Sequence, residues 1–539
     1  MGTAGRIGLA VAVATALVPA APARADLQLV KTDRLSPRLL DLTLHPSTPL
    51  LKTPDTHVRV LLPAGYDASA PRRYPVLYLL HGGADDYRSW TRPADGKGDA
   101  EKATAALELI VVMPDAGQGG WYTDWYNNGA GGPPMWESYH VGQLIPWVDA
   151  HYRTIADRAH RAIAGLSMGG FGAMSYAARH PDLFSAAATW SGAVDTNQPA
   201  APHVLDLIAG LDGGVPGSLW GLRETQEVRW RGHNPWDLAA NLRGMSLSIR
   251  SGNGEPGGPY GGGGDPLEPA VHQMSVSFHD RLTSLGIPHV WDDYGPGGHD
   301  WPYWNRDLRE DLPRFMASFA HPPAAPPAVP FTYTTIEPTY DVYGWHVAVD
   351  RPVLEFSTLA DAGADGFSLL GSGTATVTTA PLYLAGVRYP VTVESNAGTG
   401  AATREVTAGR DGRLTLAVPV GPPNAAQEYT VPNDSSETQV STVRVSVGAG
   451  EETGGPAAPR TCTSRRSFVV HPRGVRARRV RRIDVYLNGK LARTVRGRAS
   501  AVRVTLTGRP PEIVRVRLVI RPTRGRTILD RRVYRTCVR

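Results

Sequence analysis

The stretch "RAIAGLSMGGFGAM", residues 161–174, opens like an apolar strand and closes like a helix, with one hydroxyl at the junction. Ser167 stands between Gly165 and Gly169 in the pattern G-x-S-x-G. That spacing suits a strand-to-helix turn too sharp for bulky neighbours. It lifts the hydroxyl to the N-terminus of a helix. The chemistry on offer is nucleophilic attack, for which an alkyl hydroxyl needs a general base. In such proteins an acid and then a histidine follow the serine along the chain. His299, in "YGPGGHDWPYW", comes after the last strand-like run. Between them lie Asp265 and Glu268, and either carboxylate could orient the imidazole and stabilise its cation. A developing oxyanion also needs N–H donors. The amide of Met168, directly after the nucleophile, is one. Gly83, in "LLHGGADDYRSW", is the other, because a glycine backbone can approach a substrate closely. Trp125 and Trp301 are candidate substrate contacts, since aromatic walls suit an acyl chain or a sugar ring. This chemistry calls for no metal and no organic cofactor.

These residues must be carried by a scaffold. From residue 26 to about 320, apolar runs such as "YPVLYLLHGG", "LELIVVMPDAG", "RAIAGLS" and "SLSIRSGNG" alternate with helical stretches such as "PMWESYHVGQLIPWVDAHY". Continuous apolar strands alternating with helices predict an α/β domain with a mostly parallel, covered sheet. "HPPAAPPAVP", residues 321–330, reads as a stiff linker. Residues 331–447 carry short Val/Thr/Tyr-rich runs with turn punctuation, which predicts a β-sandwich-like module. A second linker covers 448–460. Residues 461–539 again read as β, with Asn488-Gly489 as a hairpin turn.

The ends of the chain bear on location. Arg6, the apolar run from Ile7 to Val18 and Ala23-Arg24-Ala25 form the pattern of a secretory signal peptide over residues 1–25. No later run is apolar enough to span a bilayer. The expectation is a secreted or cell-wall-associated protein without a membrane span after cleavage. The two cysteines, Cys462 and Cys537, bracket the tail and are expected to form a disulfide in an oxidising compartment. From Arg460 onward, 24 Lys and Arg face three acids, a net of +21. The rest of the chain then carries −15, against a whole-chain charge of +6. A basic tail on an acidic body predicts attraction to an anionic cell-wall polymer. Nucleic acid is not expected, because the tail shows no aromatic platform.

Five motifs, "VVMPDAGQGGWYTDWY", "MWESYHVGQLIPWV", "GLSMGG", "SGNGEP" and "GGHDWPYW", occur in this order. Over residues 50–317 they resemble the antigen 85 mycolyltransferases and the esterase D-like branch of the α/β-hydrolases. The resemblance implies an α/β-hydrolase fold with Ser167 as nucleophile, His299 as base and a glutamate as third member. In that family the glutamate lies ten residues before a phenylalanine of the next helix. Counting back from Phe278 gives Glu268 in preference to Asp265. Gly83 and Met168 are the implied oxyanion donors, and Asp124-Trp125 matches a structural element beside the site. Where the mycolyltransferases carry Asp-Gly-Leu-Arg, this chain has His81-Gly82-Gly83-Ala84, which is more like the hydrolytic esterases. The leading expectation is a secreted serine esterase acting on a small-molecule, lipid or sugar ester. The alternatives are an acyltransferase delivering to a sugar or glycerol hydroxyl, and an inert hydrolase-fold protein that binds the wall.

Overall fold

The computed structural model describes residues 27–450, apart from 67–70, 200, 325–329, 397–399 and 431–437. Beyond these it describes 467–470, 480–487, 490–497, 502–505, 513–523 and 527–535. The expected signal peptide and both cysteines, Cys462 and Cys537, lie outside the described residues, as does the Asn488-Gly489 turn.

Nine strands form the central sheet: β1 (Leu27–Arg34), β2 (Leu39–Pro46), β3 (Thr56–Leu61), β4 (Val76–Leu80), β5 (Ile110–Pro114), β6 (Arg161–Leu166), β7 (Ala186–Trp190), β8 (Ser246–Ser251) and β9 (His289–Asp293). Their order is β1-β2-β3-β5-β4-β6-β7-β8-β9. From β5 to β9 all neighbours run parallel, while β1, β2 and β3 join antiparallel at one edge. The helices are α1 (Ala100–Ala103), α2 (Ile145–His151), α3 (Met168–Arg179), α4 (Ala201–Ala209), α5 (Arg223–His233), α6 (Leu267–Ser284) and α7 (Trp301–Ala320).

Alternation along each strand fills both faces. Tyr78, Leu80, Ile163, Leu247 and Ile249 join one core with Phe171 of α3 and Phe278 of α6. Leu77, Leu79, Ala162, Ala164 and Ala188 join the opposite core with Leu308, Leu312 and Phe315 of α7. A parallel sheet covered on both faces needs this near-continuous apolarity. The polarity pattern predicted six of the nine strands. It passed over β7, because "AAATW" is too small-chained to read as β, and the hairpin β1–β2, Leu27–Arg34 and Leu39–Pro46. This α/β-hydrolase architecture carries functional groups at the carboxyl ends of its parallel strands.

Residues 331–447 form two antiparallel sheets, of six and four strands, around a core that includes Trp345, Phe367, Leu369, Leu416 and Val443. They belong to the same compact unit as the sheet just described, which extends to Glu452. Composition suggested a spacer between the two, and the structure adds a built interface. Asn241 Nδ2 donates to Thr334 O (2.8 Å) and the Thr334 amide donates back to Asn241 Oδ1 (3.0 Å). Tyr333 Oη donates to the carbonyl of Arg179, the last residue of α3 (2.6 Å). Residues from Thr453 onward form a second unit. There, strands Val480–Leu487, Lys490–Arg496, Ile513–Pro522 and Ile528–Arg535 build a four-stranded antiparallel sheet.

Candidate active site

Strand β6 is buried along its whole length between β4 and β7. The next residue, Ser167, has φ 52° and ψ −119°, a left-handed conformation that costs a non-glycine residue about 1–3 kcal/mol. Its amide donates to Trp190 O at the end of β7 (2.9 Å), and its carbonyl accepts from Phe171 in the first turn of α3 (3.1 Å). Those two bonds clamp the strained residue from both sides. The turn leaves no room for side chains: a Cβ on Gly169 would lie 2.5 Å from His81 O, and one on Gly165 would overlap the Gly169 backbone. Ser167 is largely buried, and its hydroxyl makes no hydrogen bond among the described residues.

His299 sits in the loop between β9 and α7, on the edge of the Trp304 ring (centroids 5.0 Å apart). Its Nδ1 is 2.7 Å from Glu268 Oε2, so the carboxylate fixes the Nδ1–H tautomer and leaves Nε2 as the free ring nitrogen. Glu268, in the first turn of α6, is fully buried. Its other oxygen accepts from Ser191 Oγ (2.8 Å), Ser251 Oγ (3.1 Å) and the Gly252 amide (2.9 Å). These donors offset the cost of taking a carboxylate out of water. Ser191 and Ser251 end or follow β7 and β8, places where sequence reading offered no signal beyond a serine after an apolar run. Asp265 has a different task. Its Oδ1 accepts from the amides of Leu267 and Glu268 (3.0 and 2.9 Å), and its Oδ2 accepts from the His299 amide (3.4 Å). It caps α6 and ties the histidine loop down, without reaching the ring.

Ser167 and His299 are not hydrogen-bonded to each other, yet a short bonded route joins them. Ser167 N–H meets Trp190 O, the next residue Ser191 meets Glu268, and Glu268 meets His299. Catalytic hydrogen bonds are commonly longer before substrate arrives. The loop after β4 lies against the elbow, since a Cβ on Gly82 would lie 2.5 Å from Leu166 Cδ1 and 3.4 Å from Ser167 Cβ. Buried His81 shapes this loop. Its Nε2 accepts from the Ala116 amide (3.1 Å), which leaves Nδ1–H to donate to Gly82 O (2.9 Å). The amides of Gly83 and Met168 donate to no group among the described residues. Ile208 of α4 closes over this loop, 2.9 Å from where a Gly83 Cβ would stand. Leu207 and Leu211, flanking it, are exposed.

The two tryptophans part company. Trp301 starts α7 and packs edge-on against Trp90 and Trp304 (5.0 and 5.4 Å), beside the His299 ring. Trp125 instead donates to Gly120 O (3.1 Å), stacks under Lys52 and lines a separate cavity of about 510 Å³ with Asp124, Glu137 and Arg179. In that cavity burial, reinforced by the charge of Glu137, pushes the Asp124 carboxyl up to about 6. An unfolded carboxyl ionises near pH 4, so stability falls as pH rises from 4 to 6. Asp124→Asn is expected to flatten that slope and to change stability at pH 7 by less than about 2 kcal/mol, read from denaturant midpoints across pH. An unchanged slope would refute the assignment.

The strand order, the elbow and the buried carboxylate–imidazole pair define the chain as an α/β-hydrolase. Residues 52–315 match the family model named Esterase. Over 251 residues the chain is 36% identical to the esterase Rv1288 of Mycobacterium tuberculosis, covering 45% of this chain and 52% of that protein. It is 31% identical over 251 residues to the diacylglycerol acyltransferase/mycolyltransferase Ag85B of Mycolicibacterium smegmatis, covering 44% of this chain and 75% of that protein. Among solved structures, Mycobacterium tuberculosis MPT51 matches with TM-score 0.41 at 24% identity, covering 50% of this chain and 97% of that chain. The chain belongs to the esterase family that includes the antigen 85 mycolyltransferases. It spans about half the length of the mycobacterial esterase it matches. Among the described residues no helix is long and apolar enough to cross a membrane.

Proposed function

We propose that the chain is an exported serine esterase working through an acyl-enzyme on Ser167. The observation that carries this reading is the buried Glu268–His299 pair, linked through Ser191 and Trp190 to a serine held at positive φ. His299 Nε2 takes the Ser167 proton as Oγ attacks the ester carbonyl, and Glu268 stabilises the imidazolium. The amides of Gly83 and Met168 receive the oxyanion. The imidazolium then protonates the departing alcohol, and a second nucleophile releases the acyl group. No metal or organic cofactor enters these steps. Trp301 and the half-buried Ile208 are the proposed walls for the acyl part, with exposed Leu207 of α4 and Leu211 just after it extending an apolar surface outward. Residues 1–25 are the proposed signal peptide. Cys462–Cys537 is the proposed disulfide of a tail that holds the enzyme on an anionic wall polymer.

The identity to an acyltransferase supports a second reading, in which a sugar or glycerol hydroxyl replaces water as acceptor. Both share the acyl-enzyme, so partition decides between them. With p-nitrophenyl esters of graded chain length, the esterase reading expects free acid as the main product even with glycerol or a sugar present. Acylated alcohol as the dominant product would replace hydrolysis by transfer.

A further inference from the structure

The C-terminal sheet places three arginines side by side. In the register of its strands Arg482 stands directly opposite Arg496 on one side and Arg521 on the other. Residues 483, 485 and 487 and residues 516, 518 and 520 fill the core face, so these three guanidiniums share the opposite face. Strands lie about 4.8 Å apart, so the row spans about 10 Å. Like charges directly opposite in a sheet destabilise it. One acid offsets part of that cost. Buried Asp484 accepts from Arg482 Nε (2.8 Å) and from Thr494 Oγ1 (2.6 Å), with Arg521 Nη1 at 3.7 Å. Among the described residues no carboxylate pairs with Arg496. Among the described residues, then, three cations share one anion. The heads stay accessible: the Arg482 and Arg521 side chains are 38% and 50% exposed. Four residues further along the same face, about 13 Å away, Arg517 lies over the Tyr486 ring at 4.4 Å.

We propose that this face, formed by Arg482, Arg496, Arg521 and Arg517, is the binding surface for an anionic glycan carrying repeated phosphate or carboxylate groups. Guanidinium forks pair with either group through two parallel hydrogen bonds. A cationic row with one further arginine about 13 Å along the same face matches a chain with charges at intervals, and bound anions relieve the like-charge row. Among the described residues Tyr486 is the one aromatic on this face, and Arg517 already covers it, which leaves stacked bases no platform there. The assignment rests on the reading that the tail binds an anionic polymer, and it names the face that does so.

The test uses the full chain. Binding is measured at several salt concentrations to poly(glycerol phosphate), to polygalacturonate and to a 20-nucleotide single-stranded DNA. Arg482→Gln/Arg496→Gln/Arg521→Gln is compared with Arg481→Gln/Arg493→Gln/Arg503→Gln, which removes the same charge from other exposed positions. The double variant Arg496→Gln/Arg521→Gln keeps the Arg482–Asp484 pair and guards against misfolding. The row variants are expected to weaken glycan binding about tenfold or more and flatten its salt dependence, with the control within about threefold. The two polymers tell phosphate from carboxylate recognition. Equal losses in both triple variants, or none in the row variants, would overturn the face assignment. Tighter binding to the DNA than to either glycan would overturn the ligand class. Deleting residues 460–539 without any loss of binding would instead remove the underlying reading of the tail.

Discussion

Ser167→Ala is expected to abolish labelling by a fluorophosphonate and to lower ester turnover by about 10⁴–10⁶-fold. Without Oγ there is no acyl-enzyme, and the remaining amides and binding surface support only a small residual rate. The fold should survive, because alanine is no more strained than serine at φ 52° and both clamping bonds use the backbone. An unchanged melting curve beside the lost activity separates chemistry from stability. A variant that still labels and turns over at the native rate would end the acyl-enzyme reading.

The second large effect concerns stability. Arg179 closes the far end of α3, the helix that Ser167 begins. Its Nε donates to both oxygens of Glu137 (2.8 and 3.1 Å), Nη1 to Gly232 O (2.7 Å) and Nη2 to Glu337 Oε1 (2.8 Å). Glu337 belongs to the sandwich, so one guanidinium joins both halves of the unit. Burial pulls the Arg179 pKa down, but Glu137 and Glu337 outweigh it and hold the group charged. Burial would likewise raise Glu137, and Arg179 and His180 hold it well below the usual carboxylate range instead. Arg179→Ala leaves Glu137 buried beside His180 alone, an uncompensated charge that costs about 3–5 kcal/mol. Tryptophan emission in a urea titration would read the shift. Glu337→Gln should cost much less, because that side chain is 41% exposed and the Arg179–Glu137 pair stays whole. A loss below about 1 kcal/mol for Arg179→Ala would show that the pair does not anchor α3.

Much of the hydrolase was legible in the chain. Parallel strands covered on both faces must be apolar throughout, so "YPVLYLL" and "RAIAGL" announced themselves. An elbow that tolerates only glycine leaves Gly165 and Gly169 as its trace. The spacing and order of Ser167, Glu268 and His299 were likewise readable, with the resemblance choosing between Glu268 and Asp265.

What the sequence could not contain were relations set by packing. Asp265 and Glu268 lie three residues apart with the same charge. Only the direction in which α6 carries each one makes Glu268 the histidine's partner and Asp265 a helix cap. Trp125 and Trp301 look alike as aromatics beside motifs, but the turn after β5 sends one towards the Arg179 cavity while α7 sets the other beside His299. The proline-rich stretch suggested a spacer. It carried no word of Asn241 meeting Thr334 or Arg179 meeting Glu337. Local spacing is written by backbone geometry, which acts between near neighbours. Which distant side chains meet is decided by how elements pack, and that depends on the whole chain at once.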